Sequence, residues 1–181
     1  MNNDLVKLSQ AANYAARQHV DQKRKGVKGE PYINHLAEVA NLLAEATEGN
    51  DLVLLQGGFL HDTVEDTDTT PADLARLFGQ DVADLVVEVT DDKSLPQKDR
   101  KRLQVEHAPH LSRRGKLLKI ADKTSNLRGI VTSPPKDWSR ERLAEYVDWA
   151  AEVVHACRGL NARLEAAFDK AHEEASAHYK S

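Results

Sequence analysis

His61 and Asp62 are adjacent in GGFLHDTVEDT, where a short and very apolar stretch, Leu52 to Leu60, runs into a polar one. Within a helix, neighbouring side chains point about 100° apart, but at a helix end both can converge on one ion. An imidazole nitrogen beside a carboxylate oxygen suits Mn²⁺ or Fe²⁺, or Zn²⁺ at tighter geometry. Taken alone, a His-Asp pair is far more often structural or solvated. Two further positions add to it. His35, in PYINHLAEV, falls on the core-facing side of a helical pattern near Leu36 and Val39, where a satisfied core histidine is the alternative. Asp122, in KLLKIADKTSNLR, interrupts an otherwise apolar stripe. A buried carboxylate is costly unless it is paired or coordinates a metal.

These residues need a scaffold, and the dominant period of the chain is helical. Leu5, Leu8, Ala12, Ala15 and His19 predict an amphipathic helix over about 4–22. The polar stretch Gln22 to Glu30 breaks it. Pro31 precedes a second helix, with Ile33, Leu36, Ala37, Ala40 and Leu43 on one side, closed by Gly49 and Asn50. Asp51 reads as the N-cap of Leu52 to Leu60, and HDTVEDTDTT as a polar loop. Thr70-Pro71 and Gly79 bracket the next helix. Val82 to Val89, Leu95-Pro96 through Val105, and Leu117 to Leu127 supply three more. Two prolines exclude TSPPKDWS from any helix interior. Ser139 caps a helix reaching about Leu160, and the last covers about 161–178. The expectation is an all-α, single compact domain over 1–181, with about eight to ten helices.

Composition narrows the function classes. A length of 181 residues suits one domain. The net charge of −4 is dispersed along the chain, which argues against a nucleic-acid partner. No apolar run approaches the roughly 18–20 residues that span a bilayer, so no membrane partner is expected. MNNDLVKLSQ has no secretory pattern, and the single Cys157 excludes a disulfide framework and a cysteine zinc site. A cytoplasmic setting fits.

The order His…His-Asp…Asp on a helical background is the signature of the HD phosphohydrolase superfamily. HVDQKRKGVKGEPYINH, GGFLHDTVEDT, VTDDKSLPQKDRKRLQVEHAPHLS and KIADKTSNLR resemble, in order, the motifs of its alarmone-hydrolase branch. That branch comprises the hydrolase domain of RelA/SpoT-type enzymes and the stand-alone small alarmone hydrolases. The resemblance covers about residues 5 to 165. It implies an HD-type helical domain with His35, His61, Asp62 and Asp122 holding one Mn²⁺ per chain. It implies that Glu65-Asp66 orients or activates the attacking water. Arg24-Lys25-Gly26 would lie over the nucleotide, and Asn126, Arg142 and Tyr146 would line the base and phosphate pocket. The reaction implied is removal of the 3′-diphosphate of guanosine 3′,5′-bis(diphosphate) and its pentaphosphate form, giving GDP or GTP plus pyrophosphate.

Spacing agrees with several of these roles. Asp122 and Asn126 are four apart on one helix face, and Arg142 and Tyr146 repeat that spacing. The alternatives are a surface Arg packed on a core-edge Tyr and, for Glu65-Asp66, a solvated acidic loop. Asp91-Asp92 and Asp68 read as loop charge. Lys23-Arg24-Lys25 and Arg100-Lys101-Arg102 could draw a polyanionic substrate into an acidic protein. One position departs from the metazoan members, which carry a lysine after the proline of DDK-LP; here Gln97 stands there and Lys98 follows. The opposing synthetase activity needs about another couple of hundred residues, so hydrolysis alone is expected. Three other functions stay open: the same chemistry on adenosine alarmones or the NADPH 2′-phosphate, a non-catalytic alarmone sensor, and a deoxynucleoside monophosphatase.

Overall fold

Each apolar stripe read from the sequence becomes a helix in the computed structural model, which describes residues 3–180; Met1, Asn2 and Ser181 of the expected domain lie outside them. The order is α1 (Asn3–Gln18), α2 (Ile33–Thr47), α3 (Leu52–Leu60), α4 (Thr63–Asp66), α5 (Pro71–Phe78), α6 (Gln80–Val89) and α7 (Gln97–His107). A 3-10 turn at Ala108–His110 leads to α8 (Arg113–Thr132), α9 (Arg140–His155) and α10 (Ala162–Tyr179). The described residues form no strand, only the isolated bridges Lys23↔Pro31 and Gly26↔Pro135. Among the described residues, no helix is long and apolar enough to cross a membrane.

Caps set the boundaries. Asp51, Thr70, Ser112, Ser139 and Asn161 each accept a backbone N–H from the first turn of the helix that follows. The helix read over Leu117 to Leu127 extends to Arg113–Thr132, and other stretches also differ from expectation. The first helix stops at Gln18 because the chain folds back into a hairpin, with Arg24 N–H donating to Glu30 O and Tyr32 N–H to Gln22 O. The helix expected to reach Leu160 stops at His155. Gly159 there takes φ +87°, and the Glu165 carboxylate accepts from the amides of Gly159, Leu160 and Asn161. The polar run after His61 is not all loop, since Thr63–Asp66 makes a helical turn.

α2 and α3 form a helical hairpin joined by Glu48, Gly49, Asn50 and Asp51, so the start of α2 lies beside the end of α3. Their backbones touch: a Cβ on Gly58 would sit 2.9 Å from Ala40 Cα. That crossing brings His35 to His61. α8 packs on α2, α9 and α10. Its buried residues, from Gly115 to Ile130, face all round rather than along one stripe. A second, smaller core joins α1, α2, α3, α5 and α6 through Ala11, Ala15, Leu36, Leu60, Leu74, Val82 and Val86.

Candidate metal centre

Four side chains from three places converge. His35 lies in the first turn of α2, His61 and Asp62 lie between α3 and α4, and Asp122 lies midway along α8. One ligand atom from each of His35, His61 and Asp62 falls within 4.8 Å of the others. Asp122 Oδ1 reaches within 3.4 Å of His35 Nε2 and 3.9 Å of His61 Nε2. Asp62 Oδ2 is 3.7 Å from His35 Nε2 and 3.1 Å from His61 Nε2. Both histidines and Asp122 are buried.

The outer partners fix which atoms face inward. His61 Nδ1 lies 3.0 Å from Gly58 O, a carbonyl that can only accept, so Nδ1 carries a proton and Nε2 is the atom turned toward the carboxylates, able to take a metal or a second proton. That buried Nε2 has no hydrogen-bond partner. Tyr32 donates to Asp62 Oδ2 at 2.6 Å, Asn126 to Asp122 Oδ1 at 2.6 Å, and Lys123 to Asp122 Oδ2 at 3.0 Å. Two imidazole lone pairs and two carboxylates pointing at one another favour a cation among them. The titration directions agree. Burial penalises the His61 imidazolium, yet Asp62 and Asp122 outweigh it and raise its pKa to about 9. Burial lowers His35. Both aspartates are held below the usual carboxylate range despite burial, Asp62 chiefly by His61 and Asp122 chiefly by Lys123. The nitrogen and oxygen donor set fits a borderline divalent ion.

Beside this corner opens a cleft of about 510 Å³. Glu65 and Asp66 line it from α4. Glu65 accepts the Asp91 amide at 3.2 Å, and Arg100 lies 3.8 Å from its other oxygen. Burial, with the charge of Asp62, pushes the Glu65 carboxyl up. Asp66 accepts from Gln22 at 2.7 Å and pairs with Lys93. Arg24 and Lys25 line the cleft from the hairpin, and Arg24 donates to Asn126 Oδ1 at 3.1 Å. The hairpin is tied to the α8–α9 loop by the amide of Val27 on Pro134 O and that of Lys28 on Ser133 Oγ.

Ten of the eleven residues singled out from sequence therefore border the metal corner or the cleft. Arg142 does not. It is exposed, and its guanidinium lies 4.4 Å over the ring of Trp138, which does line the cleft beside Tyr146. Lys98 is likewise absent from the lining, whereas Gln97 is part of it. Lys93, Arg100, Lys119 and Lys123 are among the cations of the lining. Asp91 is more than loop charge, because its amide holds Glu65 and its carboxylate accepts from Gln104 at 2.6 Å. Tyr32, Trp138 and Lys123 went unnoticed. An aromatic and a buried cation of these kinds look like core or surface until their partners are known.

Comparison with known proteins places this geometry. An HD-domain family model matches residues 11–152. A Xenopus tropicalis protein named guanosine-3′,5′-bis(diphosphate) 3′-pyrophosphohydrolase MESH1 is 49% identical, covering 93% of this chain and 94% of its own. The Homo sapiens protein of that name is 50% identical, over 92% of this chain and 93% of its own. A solved structure of a metazoan ortholog of SpoT, described as hydrolysing ppGpp with a role in starvation responses, superposes at TM-score 0.89. It is 44% identical and covers 93% of this chain and 94% of its own.

Proposed function

Because the chain belongs to the HD-domain family, we propose that it is a metal-dependent hydrolase removing the 3′-diphosphate of guanosine 3′,5′-bis(diphosphate) and its pentaphosphate form. The observation that carries this reading is the convergence of two imidazole lone pairs and two carboxylates at one end of a cleft bordered by Arg24, Lys93 and Arg100. Similarity to enzymes bearing that name supports the choice of substrate.

His35, His61, Asp62 and Asp122 would hold one ion, Mn²⁺ in this reading, since two imidazoles suit a softer ion than Mg²⁺. When bound, such an ion polarises a phosphate oxygen and acidifies a water. Glu65 accepts the proton of the attacking water, and its raised carboxyl is a better base than an exposed one. Asp66, fixed by Gln22 and Lys93, orients that water. The water oxygen joins phosphorus, the bond to the ribose 3′-oxygen breaks, and that oxygen takes up a proton. GDP or GTP and pyrophosphate leave. Lys93 and Arg100 offset phosphate charge along one wall. Arg24, braced on Asn126, covers the base, with Lys25, Tyr146 and Trp138 beside it. The lone cysteine favours a cytoplasmic setting.

The test is a panel comprising the guanosine tetraphosphate, its adenosine counterpart, NADPH and a deoxynucleoside monophosphate, each with Mn²⁺ and with EDTA. Pyrophosphate release from the guanosine compound, lost in EDTA, supports the proposal. Tight binding of that compound without turnover by Mn²⁺-loaded protein would make the chain a sensor and overturn it.

A further inference from the structure

The two histidines of the metal corner reach the same ring tautomer by different devices. For His61 the acceptor is the backbone carbonyl of Gly58. For His35 it is a chain of side chains. Ser125 Oγ lies 2.8 Å from His35 Nδ1 and 2.7 Å from Glu38 Oε2, and Arg128 donates to Glu38 Oε1 at 3.0 Å. We propose that Ser125, Glu38 and Arg128 are positioning residues that fix His35 with its Nε2 lone pair facing the ion. The proposal rests on the assignment of His35 as a metal ligand.

A serine hydroxyl has one proton to give and can accept at its oxygen. A carboxylate can only accept, so the Ser125 proton is committed to Glu38. The hydroxyl oxygen is then left to receive a proton from His35, which places that proton on Nδ1. Nε2 is consequently bare, 3.4 Å from Asp122 and 3.7 Å from Asp62. Without Glu38 the hydroxyl is free to rotate and donate to Nδ1. The ring proton then moves to Nε2, where it blocks the metal. Arg128 holds the carboxylate in the orientation that prevents this.

The relay is also placed where it can be altered cleanly. Ser125 is fully buried, but Glu38 and Arg128 are partly exposed in a second cleft of about 440 Å³ that His35 itself helps to line. Glu38 is not part of the nucleotide-cleft lining, and its hydrogen bonds run to Ser125 and Arg128. Partners of ligating histidines typically contribute about 10–100-fold to metal affinity.

The experiment is Mn²⁺ titration calorimetry on the EDTA-stripped full chain, joined to NMR of the histidine ring nitrogens and to metal-free melting. Ser125→Ala and Glu38→Ala should weaken Mn²⁺ binding by about 10–100-fold, with Ser125→Thr near the unchanged protein. In both alanine variants the His35 ring signals should move toward the Nε2–H form, which loss of packing alone would not cause. At saturating Mn²⁺ the nucleotide KM should be unchanged. If Ser125→Ala does not fold, Glu38→Ala, on a partly exposed side chain, carries the test. Unaltered Mn²⁺ affinity in the alanine variants, alongside weakened binding in His35→Ala, overturns the relay and leaves the ligand assignment standing. Unaltered affinity in His35→Ala overturns the ligand assignment itself.

Discussion

The corner that gathers His35, His61, Asp62 and Asp122 is walled by helices whose backbones touch, whereas the other end of the same cleft, proposed above for the nucleotide, is walled by a hairpin and a loop held by a few hydrogen bonds. At the first, Gly58 meets Ala40 across the α2–α3 crossing, and His35, His61 and Asp122 are buried. At the second, Lys25 is exposed, Arg24 is half-buried, and the hairpin rests on Pro134 and Ser133. The first holds small donors at fixed distances. The second can adjust to a large and flexible anion. Substitutions should therefore fail in different ways at the two ends.

The largest effect belongs to the metal corner. Asp122→Ala removes a carboxylate that approaches both imidazoles and leaves the buried Lys123 without its partner. Metal analysis should find none bound, and hydrolysis should be abolished. Retained metal would place Asp122 outside the ligand set. Next comes Gly58→Ala, which would press a methyl group on the α2 backbone. Overpacking of this kind costs about 1–3 kcal/mol, and denaturant unfolding should register the loss. An unchanged midpoint would mean the hairpin is less rigid than its geometry implies.

At the other end, Arg24→Ala should keep the metal and most of kcat while raising KM about tenfold or more, in line with one charged hydrogen bond. A kcat loss at unchanged KM would move Arg24 out of the binding role. The smallest effect is the most discriminating. A Cβ on Gly129 would lie 2.5 Å from Arg24 Nη2, the far end of a flexible side chain. Gly129→Ala should thus displace Arg24 and raise KM a few-fold. Its stability should hold or rise, because alanine is favoured over glycine within a helix by about 0.5–1 kcal/mol. Of the two glycine-to-alanine changes, only the one at the helix crossing would then lower stability.

The same contrast decides what could be read in advance. His35 and Asp122 stood out because helical period and the cost of a buried charge are local signals. The caps at Asp51, Thr70 and Ser139 are local too, and the structure has all three. Arg142 stands behind the cleft lining because i,i+4 spacing puts it beside Tyr146 but says nothing of Trp138, whose ring takes its guanidinium. Asp91 was passed over because its partners, Glu65 and Gln104, lie 26 and 13 residues away. Glu65-Asp66 read as loop since the run is polar. The Thr63 and Thr67 hydroxyls instead donate to carbonyls three and four residues back, at 2.7 and 2.6 Å, and the turn closes as helix.

The central claim is that His35, His61, Asp62 and Asp122 hold the ion while Glu65 acts on the water. One preparation of Glu65→Gln, analysed for bound metal and assayed by single-turnover hydrolysis of guanosine 3′,5′-bis(diphosphate) with Mn²⁺, tests it most directly. Metal should stay near one per chain, as in the unchanged protein, while the rate falls by about 10²–10⁴-fold. Loss of the metal would make Glu65 a ligand, and a full rate with metal retained would leave it a bystander; either result contradicts the account.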